Sequence, residues 1–396
     1  MKNRSRIILI LIAVPVLIAL AVLGVEEGKK AIIRAYADSQ PRPTPVPSGD
    51  LPDLIRLTWS GDPTTTQTVS WRTGPAVTDG AVEYISVAEN DTEVQSAAAE
   101  FIVVEDSMVV NDPVNHSFSV RLEGLQPGTT YKYRVGQPTQ DRWSDWYTFA
   151  TAPEGELSYS FFYLGDPQVG FAQWRELITK ANQHYPDAAF VLIPGDLVNR
   201  GNFRDDWDDF LNAGQVLFAG KPLVPAIGNH ERPRGQEPDL YLKLLELLQN
   251  GAPTLTPEKS YSFQYANSLF VILDSNEDPE AQREWLEQVL SNSGAVWKFV
   301  AFHHPIYSSK ANRDNPEIRA SWVPLFDKYH VDIVFNGHDH AYMRTFPLRD
   351  NKVVDSPAQG TIYVISVSGS KFYEMESRDL AAVAFDKTPT YQVVQV

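Results

Sequence analysis

Five short polar motifs, each placed just after an apolar, strand-like run, constrain what this chain can fold into. They are GDPQ at 165–168, GDLVN at 195–199, GNHE at 228–231, HHP at 303–305 and GHDH at 337–340. Between them, strand-like segments alternate with segments that have apolar residues at helical spacing, which predicts an α/β domain. In such folds the loops beyond the carboxyl ends of the strands gather ligands. The polar residues of the five motifs are therefore expected to converge.

The residue types in these motifs are those of a two-metal site. Neutral imidazoles suit borderline divalent metals such as Zn, Fe, Ni and Mn, whereas carboxylate and amide oxygens suit the harder end of that range. Two cations about 3.5–4 Å apart can share a carboxylate, generate hydroxide from water and hold the attacking and leaving oxygens of a phosphoryl group. A lone Gly-Asp or His-Pro pair usually marks a turn. The prediction therefore depends on all five motifs occurring together.

The ordered series of motifs resembles the calcineurin-like metallophosphoesterase superfamily. Within it, the chain is similar to purple acid phosphatases that carry an N-terminal fibronectin-III-like domain, from roughly Pro52 to the C-terminus. The resemblance implies a hydrolase acting on phosphate ester bonds, with phosphomonoesters slightly favoured over phosphodiesters and metal-bound hydroxide as the attacking group. It also implies a cofactor of two divalent metal ions, whether Mn, Zn, Fe or Ni.

The same resemblance implies roles for individual residues. Asp166 and His340 would bind the first metal, and Asp196 would bridge the two metals. The second metal would be held by Asn229, His303 and His338. His230 resembles the family imidazole that orients the substrate or protonates the leaving group, which is a general-acid role.

Three positions in or beside the motifs leave alternatives open. Where purple acid phosphatases have a tyrosine ligand in GD-x-x-Y, this chain has Asn199, so the charge-transfer colour is expected to be missing. Asn199 is itself a further candidate metal ligand. Gln168 stands where many metallophosphoesterases have the histidine of D-x-H, and its amide would either ligate the first metal or donate to bound phosphate. His304 is a candidate substrate-binding residue, or it merely fills the x of H-x-P.

Two folded domains are predicted. Residues 54–153 contain short segments that alternate apolar with polar residues, the pattern of half-buried antiparallel strands, and their spacing and size suggest an all-β sandwich. The segment LEGLQPGTTYKYRV resembles a fibronectin-III signature, which implies a fibronectin-III-like domain. Residues 156–396 form the predicted α/β metallophosphoesterase domain, for which the family implies two facing mixed sheets flanked by helices. Relatives usually add strands after the position of the C-terminal TYQVVQV, so this domain is expected to be short or truncated there.

The N-terminus predicts a membrane-directed segment. Lys2, Arg4 and Arg6 precede an apolar run from Ile7 to Val25, which is close to the ~20 residues needed to span a bilayer. Residues 1–30 are therefore expected to form a transmembrane signal anchor or a long signal peptide, and the positive flank should stay in the cytoplasm. The Pro-rich linker at 31–53 is expected to be an extended spacer. The catalytic domain would then lie outside the membrane, at the cell surface if uncleaved or secreted if cleaved.

Composition excludes several classes of partner. The formal net charge of −16 argues against nucleic-acid binding beyond possible nucleotide substrates. The absence of cysteine excludes disulfide-linked partners and thiolate ligands. The expected partners are a phosphate-ester substrate and, through an uncleaved N-terminal helix, the membrane. The competing interpretation is a catalytically inactive cell-surface binding module, and complete retention of the seven family residues argues against it.

Overall fold

The computed structural model describes residues 40–87, 93–155 and 157–396. The predicted signal helix at 1–30 and the first part of the predicted linker lie outside these residues. Within the described ranges, none of the helices combines the length and apolar character needed to cross a bilayer. The described chain forms two domains, a sheet domain followed by a mixed α/β domain, as the sequence predicted.

The first domain is a sandwich of antiparallel strands. Its strands are β1 (Asp53–Thr58), β2 (Gln67–Thr73), β3 (Gly80–Ser86), β4 (Gln95–Glu105), β5 (Val114–Leu122), β6 (Thr130–Gln137), β7 (Arg142–Trp143) and β8 (Tyr147–Ala150). The long strand β4 pairs with β3 through its first half and with β5 through its second half, so it joins the two layers. Trp71 stacks on Phe118 in the core, with ring centroids 5.4 Å apart.

Among the described residues, the second domain contains two mixed sheets, one two-stranded antiparallel sheet and five α-helices. Its elements are β9 (Ser160–Tyr163), α1 (Phe171–His184), β10 (Val191–Ile193), α2 (Arg204–Phe218), β11 (Leu223–Pro225), α3 (Asp239–Leu244), β12 (Tyr261–Tyr265), β13 (Ser268–Ile272), α4 (Pro279–Asn292), β14 (Trp297–Ala301), α5 (Pro316–Tyr329), β15 (Ile333–Asn336), β16 (Tyr342–Thr345), β17 (Leu348–Arg349), β18 (Lys352–Val353), β19 (Ile362–Ile365), β20 (Ala381–Phe385) and β21 (Gln392–Gln395).

The two sheets of this domain face each other. The smaller has the order β11-β10-β9-β21, and the larger has the order β12-β13-β14-β15-β19-β16-β20. Phe161 of the small sheet packs edge-on against Phe270, Phe299 and Phe335 of the large sheet, at centroid distances of 5.3 to 5.9 Å. On the outer face of the large sheet, Trp322 of α5 contacts Phe302. Parallel pairing of β9, β10 and β11, and of β13, β14, β15 and β19, aligns the carboxyl ends of these strands.

The described part of the Pro-rich linker is docked between the domains, contrary to the predicted spacer. Thr44 is buried and donates to Asp208 Oδ2 at 2.9 Å. Arg42 pairs with Asp106 of the sandwich and with Asp205 of α2. Proline content favours an extended backbone but does not reveal which side chains find partners. Residues 42–48 are therefore part of the interface between the folded domains.

The sandwich is also fixed directly to the second domain. Trp59 packs against Phe190 and Phe263, with centroids 5.5 and 5.2 Å away. Tyr133 Oη donates to Ala219 O at 2.7 Å, and Arg56 Nε donates to Leu244 O at 2.8 Å. These contacts satisfy buried polar groups across the interface, so the two domains form one continuous packed body.

Candidate metal centre

Strand ends deliver the predicted metal ligands to one place. Asp166 follows β9, Asp196 follows β10 and Asn229 follows β11, all in the small sheet. His303 follows β14 and His338 follows β15 in the large sheet. The facing sheets therefore bring carboxylates and an amide from one side against imidazoles from the other. Ligand-bearing atoms of Asp166, Asp196 and His303 lie within 4.8 Å of one another.

Four predicted ligands have left-handed backbone conformations. The φ angles are 36° at Asp166, 52° at Asp196, 72° at His338 and 48° at His340. Left-handed φ is uncommon for residues other than glycine and costs of order 1–3 kcal/mol when strained. Such conformations cluster at functional sites, because surrounding structure must hold them in place. The turns re-aim the side chains into the space between the sheets.

Neighbouring glycines leave room for the two carboxylates. A Cβ atom on Gly228 would lie 2.2 Å from Asp196 Oδ1, and one on Gly337 would lie 2.2 Å from Asp166 Oδ1. Both distances are far shorter than van der Waals contact. The position of a Cβ atom is fixed by the backbone, so no side-chain rotation at position 228 or 337 could relieve the clash. The glycines of GNHE and GHDH are thus required by the close approach of the acidic groups.

Asp196 is the most connected residue of the site. Its Oδ1 accepts from His230 N at 2.9 Å and lies 3.3 Å from His303 Nε2. Its Oδ2 accepts from Gln168 Nε2 at 2.7 Å. Burial tends to raise the pKa of Asp196, but the charge of His303 outweighs it and the pKa is lowered. Asp196 therefore stands between the groups assigned to the two metals, as a bridging ligand must.

The orientation of His303 shows that the site requires positive charge. Its Nδ1 donates to Pro194 O at 3.0 Å, so a neutral ring presents a lone pair at Nε2. That atom lies 3.1 Å from Asn229 Oδ1 and 3.3 Å from Asp196 Oδ1, which are also acceptors. Burial alone would lower the pKa of His303, but Asp196 and Asp166 raise it to about 9. Either a proton or a cation must sit among these acceptors.

His340 and Asp166 repeat this pattern on the first-metal side. His340 Nδ1 donates to Lys371 O at 2.9 Å, which directs the Nε2 lone pair toward Asp166 Oδ2, 3.4 Å away. Within the described ranges, both carboxylate oxygens of Asp166 are buried without a hydrogen-bond partner. Burial lowers the pKa of His340 to about 4, so this imidazole is neutral near pH 7. Unpartnered buried carboxylate oxygens beside a neutral imidazole fit a divalent cation.

The second-metal side is formed by an amide and two imidazoles. Asn229 Oδ1 lies 3.0 Å from His338 Nδ1, which in turn lies 3.2 Å from His303 Nε2. Burial and the charge of His303 lower the pKa of His338. His340 and Asp166 lie on one side, these three residues lie on the other, and Asp196 lies between them. All six predicted core ligands are thus placed around one space. The residues present fit a pair of divalent metals.

His230 lies at the edge of this centre, next to Asn199. Its Nδ1 donates to Asn199 O at 2.6 Å, which leaves Nε2 facing Asp196 Oδ2 at 3.9 Å. The ring is partly exposed, as an acid acting on a substrate must be. The side chain of Asn199 is exposed and lines a cleft, so the contact that the structure shows is through its carbonyl.

Gln168 and His304 have definite partners. The Gln168 amide nitrogen donates to Asp196, and its oxygen accepts from Lys371 Nζ at 3.2 Å. His304 Nδ1 lies 2.9 Å from Ser275 Oγ, and its ring centroid is 4.6 Å from that of His338. Both residues border the centre. Whether Gln168 or Asn199 binds metal, and whether His304 contacts substrate, stay predictions.

Glu231 supports the centre in a way that the sequence did not reveal. The residue is buried, and its Oε2 accepts from Asp196 N at 2.9 Å and from Gly228 N at 2.8 Å, while Oε1 accepts from Val198 N. One carboxylate therefore fastens the GD-LVN loop to the GNHE loop. Its place in the GNHE motif was visible, but its partners depend on the fold.

Two further residues beside the centre, Asp339 and Lys371, were not predicted from the sequence. Asp339 Oδ2 accepts from Ser309 N at 2.6 Å, and its Oδ1 lies 3.2 Å from Arg313 Nε, which fixes the GHDH loop. Lys371 lies beyond the last motif, and no pattern in the sequence marks it. It lines a cleft of about 640 Å³ that Asn229 and His230 also line.

Family comparisons agree with this geometry. Residues 52–151 match the family model described as purple acid phosphatase, N-terminal domain, and residues 159–342 match the one described as calcineurin-like phosphoesterase. An uncharacterized protein of Mycobacterium tuberculosis is 30% identical over 278 residues, which are 60% of this chain and 51% of the relative. A probable purple acid phosphatase 20 of Arabidopsis thaliana is 26% identical over 317 residues, covering 74% of this chain and 66% of the relative.

A solved structure supports the fold. The purple acid phosphatase from yellow lupin (Lupinus luteus) seeds superposes with a TM-score of 0.73 at 20% identity, covering 88% of this chain and 70% of that one. The chain spans about half the length of the mycobacterial relative. The two family models match successive domains, and the predicted ligands meet where the strands end. Residues 159–342 therefore form a calcineurin-like phosphoesterase domain, and the chain as a whole is similar to purple acid phosphatases.

Proposed function

We propose that this protein is an extracytoplasmic dinuclear-metal phosphoesterase that hydrolyses phosphate esters, with monoesters favoured over diesters. The observation that carries the proposal is the convergence of acceptor atoms at the centre. Neither of the two buried carboxylate oxygens of Asp166 has a hydrogen-bond partner among the described residues, and the Nε2 atoms of His303 and His340 lie 3.3 and 3.4 Å from carboxylate oxygens. A structural cluster would pair such groups with donors, whereas a metal site leaves them for cations.

Each ligand has a part in holding two cations. Asp166 and His340 would hold the first, and Asp196 would be shared. The second would be held by Asn229, His303 and His338. Two divalent ions bound there would supply charge stabilisation for the phosphoryl oxygens and a bound water of lowered pKa. The nitrogen and oxygen donors suit Mn, Zn, Fe or Ni, and the set contains no thiolate to select among them.

The protein's own groups would orient the substrate and complete the proton balance. The protonated Nε2 of His230 would donate to the leaving oxygen as its bond to phosphorus breaks. The oxygen of a water that has lost a proton to solvent would become bonded to phosphorus, and His230 would regain its proton from solvent. The hydrogen bond from His230 Nδ1 to Asn199 O fixes the ring for this transfer. Glu231 would keep Asp196 and Asn229 in register by holding both of their loops.

The extracytoplasmic location is part of the proposal and rests on the sequence. Lys2, Arg4 and Arg6 precede the apolar run Ile7 to Val25, which favours retention of the basic flank in the cytoplasm. A cell-surface enzyme is proposed if the segment is retained, and a secreted enzyme if it is removed.

The test is metal reconstitution of the full-length chain, purified in mild detergent. The protein would be stripped with a chelator, loaded separately with Mn, Zn, Ni or Fe, and analysed for bound metal and for hydrolysis of p-nitrophenyl phosphate and bis-p-nitrophenyl phosphate. We expect two metals per chain and turnover that depends on metal, with the monoester preferred. Fewer than two metals together with no turnover of either ester would instead support an inactive binding module.

A further inference from the structure

A positively charged cleft adjoins the metal centre of this acidic chain. Among the described residues, its lining includes three cations, Arg200, Arg234 and Lys371, and no carboxylate. The chain as a whole has a formal net charge of −16, so this local excess of cations runs against the composition. Clefts lined by one sign of charge concentrate ligands of the opposite sign. The cleft is therefore suited to an anionic group.

Lys371 is fixed beside the centre rather than extended into solvent. Its Nζ donates to Gln168 Oε1 at 3.2 Å, and Gln168 donates to Asp196. Its carbonyl accepts from His340 Nδ1, and its ammonium lies 5.4 Å from the centroid of the Tyr373 ring. Because both its backbone and its side chain are tied to residues of the centre, Lys371 presents charge at a defined position.

Two arginines, Arg200 and Arg234, line the same cleft as Lys371. Arg234 lies in the short turn Pro233–Gly235 with a left-handed φ of 61°, a conformation that arginine adopts only when its surroundings impose it. The Arg200 guanidinium lies 4.2 Å from the centroid of the Phe203 ring and pairs with Asp205 and Asp206. These contacts hold the Arg200 guanidinium in place, and the turn places Arg234 in the lining of the cleft.

The position of His230 tells which part of a substrate would enter the cleft. His230 lines it together with Asn229, and its Nε2 is the ring atom that faces the centre. A group that donates a proton to the leaving oxygen must be within hydrogen-bond reach of it. The leaving group therefore lies on the His230 side, next to the three cations.

We propose that this cleft is a leaving-group subsite for a second anion. It would select phosphate esters or anhydrides whose leaving group carries its own phosphate or carboxylate, which Lys371 and Arg234 would bind. This inference rests on the proposed function and adds to it a substrate class. Removing the cations should reduce the advantage of a charged leaving group more than it reduces hydrolysis itself.

The test compares phenyl phosphate with 4-carboxyphenyl phosphate, two monoesters that differ by one distal negative charge. The full-length metal-loaded protein should prefer the carboxylated ester in kcat/KM by roughly fivefold, the size of one favourable charge pair near a surface. Lys371→Ala and Arg234→Ala should each lower this preference by about half or more, and added salt should lower it in the wild type. Lys180→Ala removes an exposed lysine of α1 and should leave the preference unchanged.

The outcomes separate the two proposals. Hydrolysis of both esters with equal efficiency in the wild type, or a preference that survives both cleft substitutions, would overturn the subsite and leave the phosphoesterase intact. Failure of the wild type to hydrolyse either ester with any metal would remove the phosphoesterase and the subsite with it. Bound-metal content of each variant verifies that the centre is assembled, and Lys371→Gln provides an uncharged side chain that can still hydrogen-bond.

Discussion

Two buried acidic clusters in this molecule differ in where their counter-charge comes from. At the domain interface, Asp112 and Asp208 are paired with the guanidinium of Arg204 at 3.1 and 3.0 Å, and Arg72 lies 2.9 Å from Asp208. At the centre, the two carboxylate oxygens of Asp166 are buried without a partner at hydrogen-bond geometry among the residues that the structure describes. A buried charge must be paired or bind a metal. The acids of the interface cluster therefore have their counter-charge within the chain, whereas the centre requires cations from outside.

The comparison teaches how to distinguish structural from functional carboxylates in one fold. Both clusters are deeply buried, so burial alone does not separate them. Their neighbours do, because the interface cluster has arginines that cannot lose their charge, while the centre has imidazoles, which can become neutral and bind a metal through a ring nitrogen. Substitutions in one cluster should therefore change stability, and those in the other should change metal content.

The largest effect is expected at the interface. Arg204→Ala leaves Asp112 and Asp208 with less compensating charge, and breaking a buried pair typically costs about 3–5 kcal/mol of the free energy of unfolding. Denaturant unfolding would measure it. The matched control is Arg121→Ala, because the pair of Arg121 with Glu123 is largely exposed and should contribute at most about 1 kcal/mol. Equal losses in both variants would contradict the distinction between the clusters.

Asp196→Asn should have the next largest effect. An amide retains the shape but removes the charge shared by both metals, so we expect loss of bound metal and a fall of at least about a hundredfold in kcat/KM, since even supporting residues cost 10–100-fold. Elemental analysis and p-nitrophenyl phosphate kinetics would measure both. Asp208→Asn is the counterpart at the interface and should keep its metal. Retention of two metals by Asp196→Asn would show that it is not the bridging residue.

Glu231→Gln should weaken the centre less. The Glu231 carboxylate accepts hydrogen bonds from the backbone N–H groups of Asp196 and Gly228. A glutamine amide at this position would keep only some of these hydrogen bonds, while the residues that bind metal directly would be unchanged. We expect metal affinity to fall by about 10–100-fold, as for other residues that orient ligands. Competition with a chelator of known affinity would measure it. An unchanged metal affinity would show that the Glu231 carboxylate does not contribute to metal binding.

The smallest effect concerns colour. Because Asn199 replaces the tyrosine of the purple enzymes, the iron-loaded protein should lack a visible charge-transfer band. The centroid of the Tyr373 ring lies 4.6 Å from that of His340, so this tyrosine is the natural check. Absorption spectra of the iron-loaded wild type and Tyr373→Phe should coincide in the visible range. A band that disappears in Tyr373→Phe would reveal a phenolate ligand from a different part of the chain.

The sequence predicted the parts of the fold that follow from periodicity. Six sandwich segments and the β/α alternation were visible as apolar patterns, and the core ligands lay in motifs at strand ends. Strand β4 was missed, because its first half, QSAAA, has the small side chains typical of a helix or loop. It is stabilised as a strand by pairing with β3 and β5, which are contacts no local pattern shows.

Other features of the molecule depend on contacts between distant residues. Arg42 and Thr44 dock onto acids more than 60 positions away, so the proline-rich stretch was interpreted only by its backbone preference. Lys371 reaches Gln168 across 203 positions and belongs to no motif. Side-chain partners of this kind become visible only when the facing sheets are assembled. The residues that bind metal could therefore be predicted from the sequence, but the residues that orient them could not.

The central claim is that acids and imidazoles from two sheets enclose a pair of cations. Crystals of the full-length protein grown with excess manganese, measured by anomalous diffraction, would test it most directly. We expect two peaks about 3.5–4 Å apart, with Asp196 touching both. Asp166 and His340 should contact one ion, and His303 the other. A single peak, or none between these side chains, would contradict the account.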